Sequence, residues 1–172
     1  MNFFHRIVVI VCVGVLAAVA PFGSWAWAFG TELSTSSMKG IRGVTVRVEG
    51  SLAKELEQQR LTKDILREIV ESQLQAADVT LLTDLEFLET KARPMLSITI
   101  NTLKHGEGYI FSVVAQLYQH VYLIKKGQDT TCPATTWSSA GAIGIFYNAE
   151  DVRSVVKEEV DAFIKAYQEA NG

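Results

Sequence analysis

Few side chains in this sequence belong to the types that do covalent or acid–base work, so their spacing decides what they can form. Beyond residue 28 there are two histidines, His105 and His120, and one cysteine, Cys132. A thiol becomes a nucleophile when a neighbouring base takes its proton. Cys132 with His120 would therefore support a cysteine-dependent hydrolase if adjacent strands brought them together. The spacing does not require this, and a strand histidine hydrogen-bonded at the surface accounts for His120 as well. His105 and Glu107 lie in Lys104-His105-Gly106-Glu107-Gly108, where turn chemistry explains the polar residues without a metal or proton-transfer role. There is no zinc-ligand spacing, phosphate-cradling glycine loop or nucleophile elbow. Gly141 and Gly144 do not follow the strand-to-helix pattern of a nucleotide site. No catalytic set, metal or cofactor is expected.

Side chains suited to recognition are easier to find. Tyr118, His120 and Tyr122 occupy alternate positions of one apolar run, so on a strand they share a face. Trp137, in Thr-Thr-Trp-Ser-Ser, has two readings. It is a large core plug among small residues, or an aromatic platform at an exposed edge for a peptide or glycan. These four, Tyr118, His120, Tyr122 and Trp137, are the candidate binding residues. Glu55, Glu57, Asp64, Glu68 and Glu71 alternate with Lys54, Arg60, Lys63 and Arg67, the pattern of a solvated helix face with local ion pairs.

The element that must position the candidates runs from Tyr109 to Lys125. Its odd positions, Tyr109, Phe111, Val113, Ala115 and Leu117, then Val121 and Leu123 after a polar break at Gln119, form one apolar row. Ile110, Val114, Tyr118, Tyr122 and Ile124 fall on the opposite face. This is the expected central strand. Before it, Leu96, Ile98 and Ile100 alternate with polar residues, and the two-glycine turn at 104–108 makes an antiparallel hairpin of the pair. After it, a strand is expected through about Trp137, then a Gly141/Gly144 region where backbone approaches something closely. Val44, Val46 and Val48 mark a first strand closed by Gly50 and free to lie parallel to a meander strand.

Thr62 is a good N-cap for a helix carrying Ile65, Leu66, Ile69, Val70, Leu74 and Ala77 on one stripe. Leu52 and Leu56 suit a short helical turn before it. Val79–Leu82 suits a short edge strand, and Thr83 caps a brief helix through Leu88. Asn148 starts the last helix, whose stripe is Val152, Val155, Val156, Val160, Phe163, Ile164 and Tyr167. The order is β-α-β-β-β-α, an α+β fold whose largely antiparallel sheet carries two amphipathic helices on one face.

The 172 residues fit a single domain. Residues 1–28 combine His5 and Arg6, an apolar run from Ile7 to Ala20, and Ala26-Trp27-Ala28, the pattern of a secretory signal peptide cleaved after Ala28. Residues 29–39 are expected as a mobile lead-in and 40–172 as the domain. After cleavage the net charge is about −4, which disfavours nucleic acid and anionic lipid surfaces. No transmembrane span would remain. Cys132, left alone, is a free thiol or an intermolecular bridge.

Leu61-Thr62, Val79–Leu82, Pro94-x-Leu96, Gln119-x-Val121-x-Leu123, Thr135-Thr136-Trp137 and Val160-Asp161-x-Phe163-Ile164-x-x-Tyr167 together resemble a family of small exported bacterial proteins. The resemblance spans most of the chain beyond the signal but rests on packing residues and brings no active site. By element order alone the chain is also similar to periplasmic domains of the anticodon-binding-like fold, found in envelope assembly lipoproteins and in the amino-terminal domain of the Tol translocation protein. It lacks the lipidation cysteine of those lipoproteins. The reading that results is a non-catalytic periplasmic, secreted or cell-envelope protein that binds a protein or envelope component, possible homodimer included. The alternative is a binder of a small apolar or lipid-like ligand held between sheet and helices.

Overall fold

The computed structural model of this chain describes residues 32–125 and 128–172. The expected signal peptide lies outside the described residues. In order, the elements are α1 (Glu32–Ser36), β1 (Thr45–Ser51), α2 (Lys54–Gln58), α3 (Lys63–Ala76), α4 (Asp84–Glu89), β2 (Met95–His105), β3 (Gly108–Lys125), β4 (Gln128–Ser138), β5 (Ala142–Phe146) and α5 (Ala149–Asn171). The fold is α+β, with a mixed five-stranded sheet that is mostly antiparallel.

β3, 18 residues long, is the strand on which the sheet is built. β2 runs antiparallel along one side of it, from Met95 opposite Tyr118 to His105 opposite Gly108, with Gly106-Glu107 as the turn. β1 lies parallel to β2, and the connection between them carries α2, α3 and α4. On the other side of β3, β4 pairs with residues 116–125 and β5 with residues 109–113, both antiparallel. β4 and β5 are thus two segments of one interrupted strand. The expected meander of three strands is corrected to four, the third and fourth sharing one flank of β3.

The interruption has a clear hydrogen-bond solution. Ser139, Ala140 and Gly141 span the stretch opposite Ala115 and Val114, one residue more than the partner strand supplies. The Ser139 N–H donates to the Ala115 carbonyl at 2.8 Å, and the Ser139 Oγ accepts from the Ala115 N–H at 3.0 Å. A side-chain oxygen replaces the missing ladder carbonyl, so neither buried backbone group is orphaned. A second offset falls between Leu117 opposite Trp137 and Tyr118 opposite Thr135, which makes Thr136 the extra residue of a bulge on β4.

The helices take the inner face. Thr62 Oγ1 accepts from the Ile65 N–H at 3.2 Å and Asn148 Oδ1 from the Glu150 and Asp151 N–H groups at 2.9 and 3.0 Å, capping both long helices. Leu66, Val70 and Leu74 of α3 and Val152, Val156, Val160 and Phe163 of α5 are fully buried with the inward row of β3. Gln73 ties the two helices together, its Nε2 donating to the Lys157 carbonyl at 3.0 Å and to Asp161 Oδ1 at 2.6 Å. α4 buries none of its residues. It holds its shape by a capping box, in which the Thr83 N–H and hydroxyl keep the Glu86 carboxyl below the usual carboxylate range. The Gly144 backbone approaches the Phe111 ring so closely that a Cβ there would lie 3.0 Å from it, as the glycines suggested.

Two expectations change. From Glu32 on, the segment expected as a lead-in is a helix and a turn, and Met38 is fully buried. Met38 follows a run of Ser and Thr, and its burial draws the stretch onto the domain. The short edge strand at Val79–Leu82 reduces to a single parallel bridge between Leu81 and Val44.

Gly50 has φ +98°, and a Cβ on it would lie 2.0 Å from the Ile100 carbonyl oxygen. Gly40 has φ +80° but open space around it. Gly40→Ala is therefore expected to cost about 1 kcal/mol, the strain of the left-handed backbone alone. Gly50→Ala, which adds the clash, should cost at least about 3 kcal/mol in urea unfolding. Equal losses at both positions would contradict the β1–β2 contact.

Candidate site on the outer face of the sheet

Alternation along β3 sends its even residues away from the helices. Because the extra residue of the bulge sits on β4, the parity of β3 holds for the whole strand. Gln119 stays inward, buried, with its Nε2 3.4 Å from the Ser37 carbonyl, despite its polarity. Ile110, Tyr118, Tyr122 and Ile124 accordingly lie on the outer face, where the sequence places them.

The four candidate residues do not form one site. Tyr118 is half-buried, its hydroxyl donating to Gln116 Oε1 at 3.2 Å. His120 is half-buried beside it, its backbone N–H bonded to the Ala92 carbonyl at 2.6 Å. Tyr122 is exposed. Trp137 is not on this face, and the reading of it as an exposed platform is corrected. It faces inward, 4% exposed, with its ring edge-on to Phe163 at 5.5 Å. Residue Leu117 opposite it is also buried, so the pair belongs to the core.

Cys132 and His120 are not brought together either. Cys132 stands opposite Val121 and shares its inner face, whereas His120 stands opposite Pro133 and points outward. The bulge at Thr136 is the cause. In an uninterrupted ladder Cys132 would stand opposite Tyr122 and share the histidine's face; the extra residue moves it to the other one. A thiolate–imidazole pair between them is excluded in this geometry.

The outer face does assemble a cluster of which the sequence marked only Ile110. Ile110 stands opposite Leu103 on β2 and opposite Ile145 on β5, so three apolar side chains form a row across three strands. Ile143 lies two residues from Ile145 on the same face. Tyr147, two residues beyond, reaches with Ile145 over Gly108, where a Cβ would meet their side chains at 3.1 and 3.2 Å. Leu103, Ile143, Ile145 and Tyr147 are each at least 60% exposed and Ile110 is 38% exposed. Ile143, Ile145 and Tyr147 at i, i+2 and i+4 were the available signal. The intervening Ala142, Gly144 and Phe146 are small or apolar too, so the stretch shows no hydrophobic alternation.

The space between sheet and helices, where an apolar ligand was the alternative, is occupied by core side chains such as Phe163, Leu66, Leu74 and Leu117. Among the described residues no three His, Cys, Asp or Glu side chains are grouped to hold a metal ion, and no helix is long and apolar enough to cross a membrane. Comparisons with protein-family models, curated proteins and solved structures give no match.

With Cys132 and His120 on opposite faces, Cys132→Ser and His120→Ala should act independently. Each is expected to shift stability by no more than about 1–2 kcal/mol. A double-mutant cycle in thermal unfolding should give no coupling beyond about 0.5 kcal/mol, whereas a larger value would put the two side chains in contact.

Proposed function

We propose that this protein is exported and works without catalysis, docking a protein or another component of the cell envelope on the outer face of its sheet. The observation that supports this reading most is the apolar cluster of Leu103, Ile110, Ile143, Ile145 and Tyr147 on the face opposite the long helices. Monomeric proteins rarely leave large contiguous apolar patches in water, and those that do often use them in binding. Burial of a Leu or Ile side chain is worth about 1.5–3 kcal/mol. A docked cluster of this kind thus gains on the order of 5–10 kcal/mol, comparable with the cost of association. Tyrosine at the rim suits an interface, since its ring is apolar and its hydroxyl stays hydrated.

Export rests on the basic start, apolar run and Ala26-Trp27-Ala28. Intact-mass measurement of the protein from a periplasmic or envelope extract should give a chain starting at Phe29. A full-length chain in the membrane fraction would overturn that assignment.

Docking is tested by Leu103→Ser combined with Ile145→Ser. At exposed positions each change should alter stability by no more than about 0.5 kcal/mol, so melting stays nearly constant. Crosslinking in the native envelope should lose the partner that the unaltered protein captures, or, if the partner is a second copy, sedimentation should show monomer in place of dimer. Retention of the same crosslinks or the same dimer would remove this face from the function.

A further inference from the structure

A second feature lies at the other side of the sheet and is independent of the outer face. Ser37, residues 39–43, Leu82, residues 90–92 and Pro94 line a groove of about 730 Å³. Ile41, Leu82, Ala92 and Pro94 supply its apolar lining, and the inward-facing Gln119 reaches it from β3. Lys39, Arg42 and Lys91 also line it, all three exposed, and no Asp or Glu does. Among the described residues none of these three cations forms an ion pair. In a chain with a net charge of −3, three positive residues line one groove and no carboxylate lines it with them.

We infer that this groove binds an amphiphilic anion, a small molecule whose apolar body ends in a carboxylate or phosphate. The volume falls within the range of about 300–1,000 Å³ usual for small-molecule sites, which pair a mainly apolar lining with a few polar groups that fix orientation. The anionic end is held by Lys39, Arg42 and Lys91, and the body lies on Ile41, Leu82 and Pro94. Charge-assisted contacts of this kind are the stronger class of hydrogen bond.

The walls are built before the ligand arrives. Asn171, at the end of α5, accepts from the Gly40 N–H at 2.8 Å and donates to the Met38 carbonyl at 3.1 Å. The Tyr167 hydroxyl donates to the Ile41 carbonyl at 2.8 Å, and burial raises its pKa, which keeps it a donor. The opposite wall is fixed to the sheet, with the Ala92 carbonyl accepting from His120 and the Pro94 carbonyl from Thr45, at 2.6 and 3.1 Å. A groove with both walls tied down loses little freedom on binding, and that favours affinity.

The test is an NMR titration of the purified protein with octanoate, octyl phosphate, octyltrimethylammonium and inorganic phosphate. The two amphiphilic anions should shift the amides of Gly40, Gly43 and Ala92, and the tighter of them identifies the anionic end. The cation should leave these amides unmoved, and inorganic phosphate should bind at least about tenfold more weakly than octyl phosphate. Lys39→Gln, Arg42→Gln and Lys91→Gln together should weaken both amphiphilic anions by at least about tenfold. In the unaltered protein, raising ionic strength from about 0.01 to 0.1 M shortens the Debye length from about 30 to 10 Å and should weaken binding too. Equal binding of the cation, equal binding of bare phosphate, salt-independent affinity or shifts confined to Leu103, Ile143 and Ile145 would each overturn the proposal.

Discussion

The inward row of β3 is buried at every second residue from Tyr109 to Gln119, and it is buried because helices lie across it. That row is about 33 Å long at the usual strand rise, and α5, with 23 residues, is about 35 Å long. Beyond Gln119 the cover ends. Val121 is half-buried, Leu123 is 38% exposed and Ile124, on the other face, is 89% exposed. The end of this cover divides the long strand into a core half and a projecting half, and the flanking strands follow that division. β2 follows the core half, whereas most of β4 follows the projecting one.

Much of this was legible because local signals and burial agree. The odd row of β3, the caps at Thr62, Thr83 and Asn148, and the hairpin at Gly106-Glu107 each follow from residue type and spacing. The parallel placing of β1 follows from the helices between it and β2. What could not be read depends on one-residue events. The bulge at Thr136 carries no composition signal beyond a run of small residues, yet it decides on which face Cys132 emerges. Gln119 looks like a break in an apolar row and is an inward residue that reaches the Ser37 carbonyl. Trp137 has two fair readings until Phe163 is seen across from it, because a tryptophan's burial is set by tertiary contact and not by its neighbours in sequence. β5 was hidden because Ala142–Phe146 has no polar face to mark it.

Stability alone does not account for the outer cluster. Side chains that remain in water gain little from folding, and β-branched Ile143 and Ile145 are only partly explained by strand preference, for which threonine would serve as well. Leu103 and Tyr147 are further from that explanation. Leucine has no marked strand preference, and Tyr147 lies just past the end of β5. The groove residues differ in kind, because three exposed cations line it and no carboxylate does. Both surfaces are thus composed against local stability, one by exposing apolar groups and the other by gathering like charges.

The interrupted strand of β4 and β5 also bears on how this sheet meets other chains. Its free side is an edge, and an edge invites a foreign strand to extend the sheet. Here that edge has no single register. The extra residue at Thr136 and the extra residue within Ser139–Gly141 shift the ladder twice, and Pro133 removes one donor from the first segment. A strand that matched β4 would be out of step by the time it reached β5. Growth along this edge into a fibre is discouraged by backbone geometry, without spending a charged side chain on the task.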